Sequence, residues 1–245
     1  PILQAVSAKK EFVLEEIALE NHIVKQFDEE LDEIRALLMA MGGMVAQQLQ
    51  DSIQSIVKVD SGLADSVIER DKRVDEMELE IDEACLTIIA RRQPAATDLR
   101  LVMMVSKAVN DLERIGDEAK KIAKQAILLS EQEKPWGFTE VRHLGKAALS
   151  ILNNALDAFA RFDTEAALRT FNQDQQIDLD YQTALRESVT YMMEDPKSIS
   201  RVINILWVIR SLERVGDHAK NLCEQIVFVV RGTDIRHQAV FDDTH

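Results

Sequence analysis

Cysteine is nearly missing from this chain of 245 residues, which has only Cys85 and Cys223. Each stands alone in a helical pattern without C-x-x-C spacing. That excludes a disulfide framework or zinc knuckle and leaves buried, reduced thiols as the expectation. Positive charge is scarce too: 29 Lys and Arg face 43 Asp and Glu, a formal net charge of -14 that works against DNA or RNA as a partner. No apolar run approaches the roughly 18 residues needed to cross a bilayer, and no signal-peptide pattern opens the chain. The expected location is the cytoplasm, with the inner face of a membrane reached only through partner proteins. With 8 Gly, 4 Pro and no alternating apolar stretch, a sheet is not expected. Catalytic triads and phosphate-cradling glycine loops are missing as well, and no enzyme is expected.

What is present is a phrase that occurs twice. Residues 113–123 read ERIGDEAKKIA and residues 213–223 read ERVGDHAKNLC, with six of eleven positions identical. Around both copies apolar residues step by four and three, through Leu112, Ile115, Ala119 and Ile122, then Leu212, Val215, Ala219 and Leu222. That is the seam of a long amphipathic helix in a bundle. An internal repeat of this kind makes the chain two copies of one helical unit.

Punctuation sets the expected boundaries. Residues 1–20 form an N-terminal extension, flexible or helical. Residues 21–131 form the first three-helix bundle, with helices broken near Gly62 and Pro94 and with Gly42-Gly43 interrupting or closely packing the first. Residues 132–138, containing Pro135-Trp136-Gly137, form a linker. The second bundle spans 139–232, its last helix opened by Asp195-Pro196 and closed by Arg231-Gly232, and 233–245 is a tail. Arg91 and Arg92 are expected to stabilise a helix C-terminus or to grip an anion. The fold class is all-α: two tandem three-helix bundles related by the repeat.

Chemistry is expected where acids recur at helical spacing. Residues four apart lie only about 40° around a helix and about 6 Å along it, so Glu113 and Asp117 share a face. Asp71 and Asp75 form a second pair on the preceding helix, continued by Glu78 and Asp82. The second half supplies Asp174 with Asp178, and Glu213 with Asp217. Two unit charges about 6 Å apart repel by about 3 kcal/mol at an effective dielectric near 20. If the pairs converge, four carboxylates need a cation or raised pKa values; dispersed, they are a solvated surface. Carboxylate oxygens suit Mg, Mn, Fe or Ca. The alternative is a di-metal helical-bundle enzyme, for which the single Glu140-x-x-His143 would have to serve.

Several stretches resemble the PhoU family of bacterial phosphate-signalling regulators: both Glu-Arg-(Ile/Val)-Gly-Asp phrases, Ala90–Leu101, Met41–Met44, Asp157–Phe162, Tyr191–Pro196 and Arg231–His237. The resemblance runs from about Asn21 to His237. It implies two tandem three-helix bundles, a homodimer, and multinuclear clusters of divalent or trivalent metal ions on the bundle surfaces. The implied ligands are Asp71, Asp75, Glu113 and Asp117 in the first half and Asp174, Asp178, Glu213 and Asp217 in the second. The implied role is negative regulation of the phosphate-starvation response, by linking the ATPase subunit of a phosphate ABC transporter to a sensor histidine kinase and controlling phosphate uptake. The halves also differ. Asn110-Asp111 precedes the first phrase and Arg210-Ser211 the second, and a cation at 210 would weaken a metal site or attract phosphate. Glu118 in the first copy is His218 in the second, an added ligand or an exposed histidine.

Overall fold

The computed structural model describes the backbone of residues 2–130 and 138–232, and the side chains of 25–130 and 139–232. It contains six long helices: α1 Ile2–Lys58, α2 Ser61–Arg92, α3 Ala96–Ser130, α4 Phe138–Arg161, α5 Thr164–Glu194 and α6 Ile199–Arg231, with a 3₁₀ turn at Pro196–Ser198 before α6. No strand occurs among the described residues. The expected linker and the tail lie outside the described residues, apart from Phe138, which opens α4.

Each repeat packs three helices against one another, α1 with α2 and α3, then α4 with α5 and α6. The repeats also join along α3 with α6 and α1 with α4. One continuous hydrophobic cluster therefore runs through both. The two central helices explain their own composition: α3 buries Val105, Leu112, Ile115, Ala119 and Ile122, and α6 buries Ile205, Leu212, Val215, Ala219 and Leu222. Those are the four-and-three seams read from the sequence. Cys85 and Cys223 are free thiols inside this core, and burial pushes each pKa up to about 12.

The repeat is visible in the turns. Asp60 and Asp163, 103 positions apart, cap α2 and α5, accepting hydrogen bonds from the Leu63 and Ala166 amides at 3.0 and 2.9 Å. Each follows a residue held at positive φ, Val59 at 54° and Phe162 at 51°. The first turn thus breaks at Val59-Asp60, and Gly62 lies inside α2. Gly232, at φ 68°, closes α6 as expected and donates its amide to the Phe228 carbonyl.

Gly42-Gly43 does not interrupt α1, because glycine costs a helix only about 1 kcal/mol and tertiary packing outweighs it. A Cβ on Gly42 would come within 2.5 Å of Leu156 in α4, whereas one on Gly43 would meet nothing. Gly145 makes the reciprocal contact, its Cβ position 2.9 Å from Ile53 of α1. The α1/α4 contact between repeats is thus built on matched glycines. Arg91 and Arg92 lie in the last turn of α2, where their charges favour the helix C-terminus, and Arg92 also reaches another helix. It makes two bonds to Glu30 of α1, at 2.9 and 2.7 Å, and holds that carboxyl below its ordinary pKa.

Candidate functional site: two acidic helix faces

On α2 the acids at 71, 75, 78 and 82 step by four and three, the same rhythm as the core residues Val67, Val74 and Ile81, so one row of acids lies beside the apolar seam. The row turns toward α3. Asp71 is 1% exposed and accepts hydrogen bonds from Lys120 Nζ on α3 and from Gln48 Nε2 on α1, the latter at 3.1 Å. Asp82 accepts a bond from Ser106 Oγ on α3 at 2.9 Å. Gly116 leaves the wall thin: a Cβ there would lie 3.3 Å from Val74 and 3.6 Å from Asp71 Oδ1.

Asp75, Glu78, Glu113 and Asp117 share the space above this floor. Although Asp75 is exposed, lost hydration and then the charges of Asp71 and Asp117 raise its pKa. Burial raises Glu78, followed by the charges of Asp82, Asp75 and Asp117. Burial likewise raises Glu113, followed by Asp117, Glu78 and Asp75. Mutual repulsion couples the acids of α2 to those of α3, as convergence requires. Glu78 is a full member of this group, and the two acid-x-x-x-acid pairs alone do not include it.

In the second repeat Asp174 occupies the place of Asp71 and is also 1% exposed. Ile151 stands where the first repeat has Gln48, so no amide reaches it. Lys220 Nζ pairs with Asp174 Oδ2 at 3.1 Å, while the buried Oδ1 has no hydrogen-bond partner. Burial raises the Asp174 pKa against the pull of Lys220. Burial and then Asp217 raise that of Glu213. Glu213 Oε1 accepts a bond from Arg210 Nη1 at 2.8 Å, and its buried Oε2 has no partner. Asp178 lies close enough for its charge to act on both Asp174 and Glu213. Each set of four expected residues therefore gathers at one α2/α3 or α5/α6 face.

Gathering falls short of a closed cage. Among the described residues, no group of three or more acids, histidines or cysteines stands close enough to hold a metal ion as placed. The donor chemistry nevertheless fits a hard cation. All the donors are oxygens, burial and then neighbouring acids raise the pKa of several of them, and buried oxygens of Asp174, Glu213 and Gln48 are left without hydrogen-bond partners. A bound cation would replace the repulsion with ligation.

Two pairings between repeats were not legible from helical periodicity. Asp111 of α3 lies 3.0 Å from His218 Nδ1 and accepts bonds from Asn221 and Gln225 of α6 at 2.9 and 2.7 Å. Glu118, a buried residue, pairs with Arg214 at 3.1 Å and Lys121 at 3.0 Å. His218 is consequently a half-buried interface residue and not an exposed one, because α6 turns that side toward α3. Glu140 and His143 line a groove of about 210 Å³ between α4 and α5, where His143 Nε2 lies 3.0 Å from Asp180.

The PhoU domain matches residues 38–126 and 141–226. The chain is 54% identical over 224 residues to the phosphate-specific transport system accessory protein PhoU homolog of Pseudomonas putida, covering 91% of this chain and 88% of that protein. It is 47% identical over 225 residues to the phosphate-specific transport system accessory protein PhoU of Escherichia coli (strain K12), covering 91% and 93%. The crystal structure of PhoU from Pseudomonas aeruginosa superimposes with a TM-score of 0.83 at 54% identity, covering 84% of this chain and all of that one.

Proposed function

The chain belongs to the PhoU family, and from that premise we propose that it is a metal-binding adaptor through which a phosphate transporter and a sensor kinase communicate. As a member of that family it is a non-enzymatic accessory protein with a role in regulating a phosphate transport system. As the proposed adaptor it represses the phosphate-starvation response, binding the transporter's ATPase subunit and a histidine kinase from the cytoplasmic side as a homodimer. Among the described residues no helix is long and apolar enough to cross a membrane, which fits attachment through partners.

The observation that carries the metal part is the duplicated crowding of carboxylates, with oxygens left unsatisfied below them. Asp71, Asp75, Glu113 and Asp117 would hold cations in the first repeat, and Asp174, Asp178, Glu213 and Asp217 in the second. The adaptor part is supported by apolar side chains left in water: Leu179, Val189, Met193, Ile199, Ile203 and Trp207 are exposed on α5 and α6. Exposed apolar area of this kind marks contact surfaces.

Metal analysis of Glu113→Ala combined with Asp117→Ala tests the site: the reading expects fewer ions per chain, and unchanged stoichiometry rejects it. A deletion strain tests the role. Repression that survives deletion in phosphate-rich medium contradicts it.

A further inference from the structure

At the junction of the repeats, α3 and α6 leave a cavity of about 420 Å³ between them. That falls within the range of about 300 to 1,000 Å³ in which small molecules bind. Met103, Met104 and Phe228 form its apolar side. The polar side is of one kind. Ser106 donates its hydroxyl to Asp82 at 2.9 Å, and Asn110 donates its amide to the Ser106 carbonyl at 3.3 Å. Asn221 and Gln225 donate theirs to the two oxygens of Asp111, at 2.9 and 2.7 Å. An ionised carboxylate can only accept, so Asp111 fixes both amides with nitrogen toward it and oxygen away. Each of these four neutral side chains has spent a donor on the protein and keeps an oxygen able to accept. Gln225 Oε1, buried in the wall, has no hydrogen-bond partner. Asp111 and Glu224 add two carboxylates, against the single ammonium of Lys107.

The repeat shows that this polarity is particular to one end of the seam. Asp111 meets residues 218–225 of α6 while Glu118 meets Arg214, so the two helices run antiparallel and the seam has a related second end. There, one hundred positions away in sequence, Ser211 stands for Asp111, Lys121 for Asn221, Lys124 for Glu224 and Trp207 for Lys107. Two carboxylates have become a hydroxyl and an ammonium. Only the end beside Asp111 can favour a positive guest.

We propose that the cavity beside Asp111 binds an organic cation, an amine or guanidine carried on an apolar stem. Its nitrogen donates to the oxygens of Asn110, Asn221 and Glu224, and its stem lies against Met103 and Phe228. Lys107, exposed at the rim, opposes the charge of the guest and keeps its affinity modest. A free small amine and an arginine side chain of a docking protein share this chemistry. The site requires neither acidic face to hold a metal, so the two readings fail separately.

Calorimetric titration of the full chain with agmatine, beside a short peptide with a central arginine, tests the assignment. One saturable site per chain is expected, and whichever probe binds tighter identifies the source of the cation. Glu224→Gln should weaken binding by about tenfold, the worth of one charge-assisted hydrogen bond. Phe228→Ala weakens it as well. Lys107→Gln should tighten it, and because Lys107 is exposed this variant decides even if the change at Phe228 disturbs folding. Asp75→Asn with Asp117→Asn leaves it unchanged, which separates the cavity from the acidic face of the first repeat. Adenosine monophosphate, of similar size and opposite charge, should not bind. No saturable binding of either probe to the chain or to Lys107→Gln overturns the inference. So does agmatine binding that only the acidic-face variant removes, or adenosine monophosphate binding that Lys107→Gln abolishes.

Discussion

Asp71 and Asp174 are the same residue in two copies of one unit, equally buried, and they live in different electrostatic circumstances. Asp71 has an amide donor and an ammonium donor; Asp174 has its lysine at 3.1 Å from Oδ2 and no amide, and its Oδ1 is without a partner. A carboxylate that loses its water must recover the cost through partners, and only the first repeat supplies them in full. Duplication thus preserved the backbone and the acids while the surroundings diverged. The first face carries six carboxylates, with Arg114 3.6 Å from Glu113, and the second four, with Arg210 2.8 Å from Glu213.

The largest difference is expected from neutralising these inner acids. Asp71→Asn should cost about 2 kcal/mol, because it weakens charge-assisted bonds to Lys120 and Gln48 in a buried place. Asp174→Asn should fall within about 1 kcal/mol of neutral, since the charge it removes is poorly satisfied. Urea denaturation of both variants without added metal measures the pair, and equal losses would erase the distinction.

Glycine gives the next comparison. Gly216→Ala would place a Cβ 2.8 Å from Asp174 Oδ1, which a packed wall cannot accommodate without shifting, so about 1 to 3 kcal/mol is expected. Gly116→Ala meets its nearest atom at 3.3 Å, and less than about 1 kcal/mol is expected after adjustment of Val74. Thermal melts of the two variants order them.

The smallest effect is in pH. Asp75, Glu78, Glu113, Asp174 and Glu213 all titrate above their ordinary values. Between the unfolded carboxylate range and those raised values the folded chain binds more protons than the unfolded one. Stability therefore falls as pH rises through that window, and rises again as pH is lowered back through it. Glu30 works in the opposite sense, its contribution being lost at lower pH as its depressed carboxyl protonates. Glu78→Gln should flatten the fall by less than about 1 kcal/mol per pH unit, and saturating Mn²⁺ should flatten it further. A slope unchanged in both would show that the acids do not repel as described.

Much of this architecture was legible in the sequence, because the four-and-three spacing records which side of a helix is dry. That spacing located the seams of α3 and α6, and the duplicated acids located both faces. It could not show that α3 and α6 also pack on each other, which is why His218 read as an added ligand or an exposed histidine and is an interface residue paired with Asp111. The role of Gln48 was hidden for a related reason. It sits on α1, and only the packing of α1 against α2 brings its amide to Asp71. Of the two readings of Gly42-Gly43, close packing holds and interruption does not, and the neighbour that needs the space, Leu156 of α4, could not be read from α1.

The central claim is that these two faces are cation sites, and anomalous scattering from crystals grown with Mn²⁺ tests it most directly. The account predicts a peak between α2 and α3 within reach of Asp75, Glu78, Glu113 and Asp117, and a second one between α5 and α6. Crystals with Mn²⁺ peaks elsewhere and none at either face would contradict it.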